Sequence, residues 1–158
     1  GSIVSESVWG AGKGGPWTRY HMTKLSNAAF CMELHRRCKA KGLGIEAMAA
    51  DPGICTSNLF ETASQDDGRA SRRLSKLLLG QGHSAENGSL EAAMAAFSPN
   101  AVSGDFYAPQ KKSKGIPIKV FEAGEAKNPR KERLTMSRNN QTNVWEWSEE
   151  ALGIQFEV

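Results

Sequence analysis

Tyr20 and Lys24 stand four residues apart in the run Arg-Tyr-His-Met-Thr-Lys-Leu-Ser-Asn. On a helix that spacing stacks a phenol and an ammonium on one face. A phenol held beside a fixed positive charge ionises more easily, which suits it to pass a proton as a general acid or base near neutral pH. A second feature is the Pro-Gly break in Asp51-Pro52-Gly53.

The elements that must position these groups follow from periodicity. From Tyr20 the apolar residues Leu25, Ala28, Ala29, Met32 and Leu34 recur at helical spacing, Arg36, Arg37, Lys39 and Lys41 gather near the end, and Gly42 closes the segment. This predicts an amphipathic helix of about five turns with cations at its carboxyl end. Residues 43–50, mostly small and apolar, predict a strand buried on both faces of a parallel sheet, ending at Asp51-Pro52-Gly53. Helix, turn, buried strand and Pro-Gly break form half of a βαβ unit, and ligands of such sheets bind just past the carboxyl ends of the strands.

Downstream, Ser84 is placed to cap a helix whose apolar residues Leu90, Ala93, Met94 and Phe97 predict packing on the sheet. Gly104 to Tyr107 reads as a last short strand, 108–143 as a long surface connection, and 143–153 as a second helix with Trp145 and Trp147 as packing anchors. Residues 57–82 mix charges with the run Leu77-Leu78-Leu79 and show little regularity.

In this order, Tyr20-His-Met-Thr-Lys24-Leu-Ser-Asn27, Glu33-Leu-His-Arg-Arg37, Asp51-Pro-Gly-Ile-Cys-Thr-Ser57-Asn-Leu59, Ser84-Ala-Glu-Asn-Gly88, Ser103-Gly-Asp-Phe-Tyr107-Ala-Pro109 and Trp145-Glu-Trp-Ser-Glu-Glu-Ala-Leu-Gly-Ile154 resemble the short-chain dehydrogenase/reductase family. Its retinol-dehydrogenase-like and protochlorophyllide-reductase-like branches are the nearest in pattern. The resemblance spans nearly the whole chain but only the second half of the family's domain. It implies an α/β fold with a Rossmann-type, doubly wound parallel sheet, of which 1–158 is the C-terminal portion, with 57–82 as the lid over the substrate.

The resemblance further implies NADP or NAD as the hydride carrier and a small hydrophobic carbonyl or alcohol as substrate. Tyr20 would exchange a proton with the substrate oxygen, while Lys24 would favour the phenolate and hold the ribose. Pro52, Gly53, Ile54, Thr56 and Ser57 would line the nicotinamide. The family's catalytic serine is the second of two successive hydroxyl residues. Here the corresponding pair reads Ser7-Val8, so Ser7 stands one position early, and a one-residue slip on a strand turns a side chain to the opposite face.

Residues 10–15, Gly-Ala-Gly-Lys-Gly-Gly, are not a phosphate loop. Gly15-Pro16-Trp17 intervenes before the helix and no Gly-Lys-Ser/Thr is present. With the upstream half absent, a strand built from Ile3-Val4 would leave an open sheet edge, to be completed by a further part of the polypeptide or by a partner chain. Two functions are open on this reading: an oxidoreductase, or a non-catalytic dehydrogenase-like scaffold serving as a subunit of a larger complex or as a homo-oligomer.

A length of 158 residues suits one domain, and a net charge of +3 does not demand a polyanionic partner. No aromatic residues interleave with the arginines of 69–73, which argues against nucleic-acid binding. No apolar run approaches the roughly 18 residues that span a membrane. Three cysteines make no disulfide framework and favour a reducing compartment. Cys31, His35 and Cys38 share a helical face but lack the distant fourth ligand of a closed metal site.

Overall fold

The computed structural model describes residues 16–55 and 82–158. The expected strand at Ile3-Val4, the loop at 10–15 and most of the expected lid at 57–82 lie outside the described residues. The described chain runs α1 (Pro16–Ala40), β1 (Ala49–Ala50), α2 (Ala85–Gly88), α3 (Leu90–Phe97), β2 (Phe106–Pro109), β3 (Pro117–Glu122), β4 (Glu125–Ala126), α4 (Arg133–Met136) and α5 (Arg138–Leu152). It is a mixed α/β chain whose strands form one open sheet in the order β1-β2-β3-β4.

The sheet is mixed rather than wholly parallel. β3 and β4 pair antiparallel, with Phe121 opposite Ala126 and Glu122 opposite Glu125. Their connection explains the reversal, because Ala123 and Gly124 both take positive φ, 50° and 88°. Two successive left-handed residues make the tight hairpin turn that matches strand twist. These strands and α4 occupy the stretch expected as a surface connection, and α5 begins at Arg138 rather than at 143. The backbone of 43–48 is irregular, and only Ala49–Ala50 of the expected strand pairs.

Two compact units divide the chain. The first contains α1, the 102–105 segment and everything from Phe121 onward. Here α1 packs on α4 and α5. Ala29 and Val144 are buried at the contact, with Met22, Leu25, Phe30 and Trp147 around them. Phe30 stacks on the buried Trp145 at 4.9 Å, and Phe156 meets that indole edge-on at 5.0 Å. Phe156 is held there because its N–H donates to Glu149 Oε1 at 2.8 Å. The expected anchoring role of the tryptophans is thus the observed one.

Within the same unit the Glu33 side chain is fully buried, at 0 % exposure. It accepts hydrogen bonds from Arg36 and, at 2.9 Å, from Arg37, with Arg138 3.7 Å away. Burial by itself would raise the pKa of this carboxyl. The hydrogen bonds and charges of Arg36 and Arg37 outweigh it and hold the group below its ordinary value. Arg37 also lies over the Trp145 ring, 4.5 Å from its centroid.

The second unit, 50–101 with 106–120, contains α2, α3 and β2. Ser84 caps α2 as expected, accepting the N–H of Asn87. The following helix packs on the sheet as expected, but through other residues than its apolar stripe. α3 packs on β2 through Glu91 and Ala95, whereas Leu90, Met94 and Phe97 are 43 %, 40 % and 85 % exposed. Helical spacing identified an apolar stripe, but the tertiary contact takes the adjacent face of the helix.

The Glu33 cluster sets the acid response of the first unit. A carboxyl whose folded pKa is depressed contributes fully above its unfolded value, near 4.5, and loses that contribution as pH falls through the folded value. Glu33→Gln is expected to lower unfolding free energy by about 1–3 kcal/mol at neutral pH and to flatten its acid dependence. Urea unfolding on either side of pH 4.5 checks both effects.

Candidate functional site

Tyr20 lies one turn inside α1 and is half-buried, and Lys24 on the next turn is exposed. The Lys24 ammonium sits over the phenol ring, 5.5 Å from its centroid. His21 meets the same ring edge-on at 5.7 Å, and Thr23 Oγ1 donates back to the Tyr20 carbonyl at 2.7 Å. The expected pair is therefore brought together by helix geometry alone. Its helix is fixed by the buried Glu33 and the partly buried Phe30 and Arg37 two to four turns further on.

The second unit carries the Pro-Gly turn. Asp51 Oδ1 accepts the Gly53 N–H at 2.9 Å, closing the turn around Pro52. His83 Nε2 bonds the Pro52 carbonyl at 2.7 Å, and the His83 N–H donates to the Ile54 carbonyl at 3.0 Å. From the other side the Ile54 N–H donates to the Ser113 carbonyl at 2.9 Å. Gly88 packs so closely that an added Cβ would come within 2.9 Å of Cys55 Cβ.

Gly53 is required by this geometry. Its φ is +67°, and a Cβ there would lie 2.7 Å from both Pro109 Cγ and the Ser113 carbonyl oxygen. Cys55 forms a parallel bridge with His83, whose hydrogen bond enters through the neighbouring Ile54 carbonyl.

Of the expected site residues, Tyr20 and Lys24 share one helix face, and Pro52, Gly53 and Ile54 share one pinned turn. Ser7, Thr56 and Ser57 lie outside the described residues. Sequence reading missed four residues that hold the turn: Asp51, His83, Ser113 and Gly88. Asp51 carried a signal, since an aspartate two residues before an N–H commonly closes such a turn. His83 and Ser113 carried none, because both act across long sequence separations.

A separate open cavity of about 400 Å³ lies in the first unit, lined by His35, Lys39, Ile45, Glu46, Val102 and Ser103. His35 follows Tyr20 by 15 residues, about 22 Å along a helix that rises 1.5 Å per residue, so this cavity does not include the pair. Ser103 Oγ accepts the Ala47 N–H at 3.0 Å and lies 2.9 Å from His35 Nδ1. Burial first, then the Lys39 charge, holds the His35 pKa below its usual value, against the opposing pull of the Ala123 backbone and Asp105. Asp105, fully buried, accepts the N–H groups of Val102 and Ala123, both at 3.0 Å, and so fixes the cavity's rim. Burial pushes the nearby Cys31 thiol up to about 11. Among the described residues no group of metal-ligating side chains converges, and no helix is long and apolar enough to cross a membrane.

The sequence matches no protein-family model and no curated protein. The structure is similar to the crystal structure of an uncharacterized protein from Mycobacterium Paratuberculosis, with a TM-score of 0.62 and 23% identity over 95% of this chain. This chain spans 44% of the length of that protein. The likeness shows a shared fold, and the neighbour extends well beyond the part matched here.

Gly53→Ala tests the turn. The left-handed backbone alone costs about 1–2 kcal/mol for an alanine, and the contacts with Pro109 and Ser113 add to it. A lowered urea midpoint is the expected result, and an unchanged one would mean that the turn does not adopt this conformation.

Proposed function

We propose that this chain is the C-terminal portion of an NAD(P)-dependent oxidoreductase of the short-chain dehydrogenase/reductase type. On this reading its sheet belongs to a Rossmann-type, doubly wound parallel sheet completed by further polypeptide, and its substrate is a hydrophobic carbonyl compound or alcohol. The observation that carries the proposal is the stacking of Tyr20 and Lys24 on one face of α1, with the ammonium 5.5 Å from the ring centroid. The pinned Pro-Gly turn supports it.

The residues at the turn suit a nicotinamide. Pro52, Gly53 and Ile54 supply a surface fixed by His83 and Ser113, with Thr56 and Ser57 following in sequence. A bound nicotinamide supplies or accepts the hydride. Tyr20 Oη gives its proton to the carbonyl oxygen as that oxygen gains charge, and takes one back in the oxidative direction. Lys24, whose ammonium lies over the phenol ring, stabilises the phenolate left behind. Ser7 would polarise the same oxygen.

The scaffold reading, in which the same fold serves without turnover as a subunit of a larger assembly, draws its support from the exposed Leu90, Met94 and Phe97 of α3. One experiment separates the two. With the full-length protein, NADPH and NADH oxidation is followed over a panel of apolar aldehydes for the unmodified protein and Tyr20→Phe. Loss of the proton donor is expected to cut turnover by about 10²–10⁴-fold while cofactor binding, read by fluorescence, is retained. Absence of cofactor binding by the unmodified protein would sink the oxidoreductase reading in favour of the scaffold.

A further inference from the structure

The turn between β2 and β3 is short, rigid and cationic. Gln110 donates to the Ile116 carbonyl, Lys112 to that of Pro109, Ser113 to that of Lys111, and Lys111 to that of Lys114, all at 2.7–3.2 Å between backbone atoms. Lys112 holds a left-handed φ of 64°, a conformation that costs a non-glycine residue about 1–2 kcal/mol. A turn that keeps a lysine there has its shape imposed by its surroundings.

From residue 108 to 121 the sequence is Ala-Pro-Gln-Lys-Lys-Ser-Lys-Gly-Ile-Pro-Ile-Lys-Val-Phe, with four lysines and no acidic residue. Lys119 is engaged, donating to the Asn100 carbonyl at 2.8 Å and lying over the Tyr107 ring. Lys111, Lys112 and Lys114 are exposed and pair with no carboxylate among the described residues. Beside them Ile116 is 67 % exposed and Ile118 is 36 % exposed.

This hairpin is clamped to the Pro-Gly turn. Ser113, between the lysines, supplies the carbonyl that receives the Ile54 N–H. Gly53 has no room for a methyl group because Pro109, Ser113 and the Lys112 carbonyl lie against it, at 2.7, 2.7 and 3.1 Å from where a Cβ would be. Three positive charges that no carboxylate among the described residues compensates, and an exposed isoleucine, therefore stand at a fixed place beside the turn to which the proposed function assigns the nicotinamide.

We propose that the hairpin of Lys111, Lys112 and Lys114 selects substrates that carry an anionic group on an apolar body, such as a carboxylate-bearing aldehyde or ketone. This specificity rests on the oxidoreductase reading of the same turn. The lysines draw the anion to the crevice and orient it by charge, and Ile116 covers part of the apolar body. Because the ammonium groups are exposed, the selection weakens as salt screens it.

The test pairs benzaldehyde with para-carboxybenzaldehyde, using the full-length protein and its Lys111→Gln/Lys112→Gln/Lys114→Gln variant. Binding of each aldehyde to the protein with and without cofactor is followed by tryptophan fluorescence, and turnover is measured at low and high salt. The unmodified protein is expected to favour the carboxylate by about tenfold in kcat/KM at low salt, with most of this lost in the variant and at high salt. Benzaldehyde turnover and the KM for NADPH should stay unchanged. Equal treatment of the two aldehydes by the unmodified protein would overturn the proposal. So would a variant weakened for both aldehydes alike or in its KM for NADPH, since the lysines would then support the fold or the cofactor's phosphates. If neither aldehyde is turned over, the oxidoreductase reading fails on its own. A lysine-dependent binding preference for the carboxylate would then still support the hairpin as an anion selector, and its absence would overturn that as well.

Discussion

The Arg37 guanidinium links two parts of the first unit, the buried carboxylate of α1 and the indole of α5. On one side it donates to the buried Glu33 carboxylate, and on the other it lies over the ring of Trp145. The magnitudes show which contact drives and which one orients. Fully burying a large apolar side chain contributes about 1.5–3 kcal/mol, which Trp145 gains in full and Phe30 and Phe156 in part, whereas a cation over a ring contributes about 0.5–2 kcal/mol. The aromatic cluster therefore supplies the cohesion. The polar contacts that cross between the helices orient α1 against α5: Arg37 over the Trp145 ring, and Arg138 3.7 Å from Glu33, whereas the Glu33–Arg37 pair lies within α1. The rotational setting of α1 in turn decides which face of the helix presents Tyr20 and Lys24.

The Pro-Gly turn shows a different solution to the same problem. Positioning there comes from backbone hydrogen bonding, since nearly every peptide group of 52–54 is bound by Asp51, His83 or Ser113. A turn held from both sides does not rearrange when a ligand arrives, and so spends little binding energy on its own ordering. The side effect is a close approach of the 110–115 hairpin, which places lysines where the loop itself has no charged side chain beyond Asp51. The second unit thus joins a pinned turn to a cationic hairpin through the Ser113 carbonyl and the close packing of Gly53 against Pro109 and Lys112.

Local rules made much of the chain legible. The helix that became α1, its closure at Gly42, the cap at Ser84 and the anchoring tryptophans all follow from spacing and residue type. The hairpin of β3 and β4 was not legible, because Ala123 is an unusual residue for a left-handed turn and its conformation is imposed by Asp105, which binds the Ala123 N–H. The orientation of α3 was misread for a related reason. Its stripe of Leu90, Met94 and Phe97 obeys the helical period, but period alone identifies an apolar face and not the surface that covers it. Only Ala95 and Glu91 are buried on that helix, an outcome that the identity of its residues argues against.

What the sequence determined by itself is local. It set the pairing of Tyr20 with Lys24, which needs only the pitch of a helix, and the break at Pro52-Gly53, which needs only the restricted φ of proline and the freedom of glycine. Tertiary structure decided the rest: the pinning of that turn by His83 and Ser113, the burial of Glu33 under two arginines, and the placement of three lysines against Gly53. Each of these joins residues far apart in the chain or sets a degree of burial. A carboxylate or a lysine reads the same in sequence whether it faces water or a partner, and only packing settles which charge is compensated.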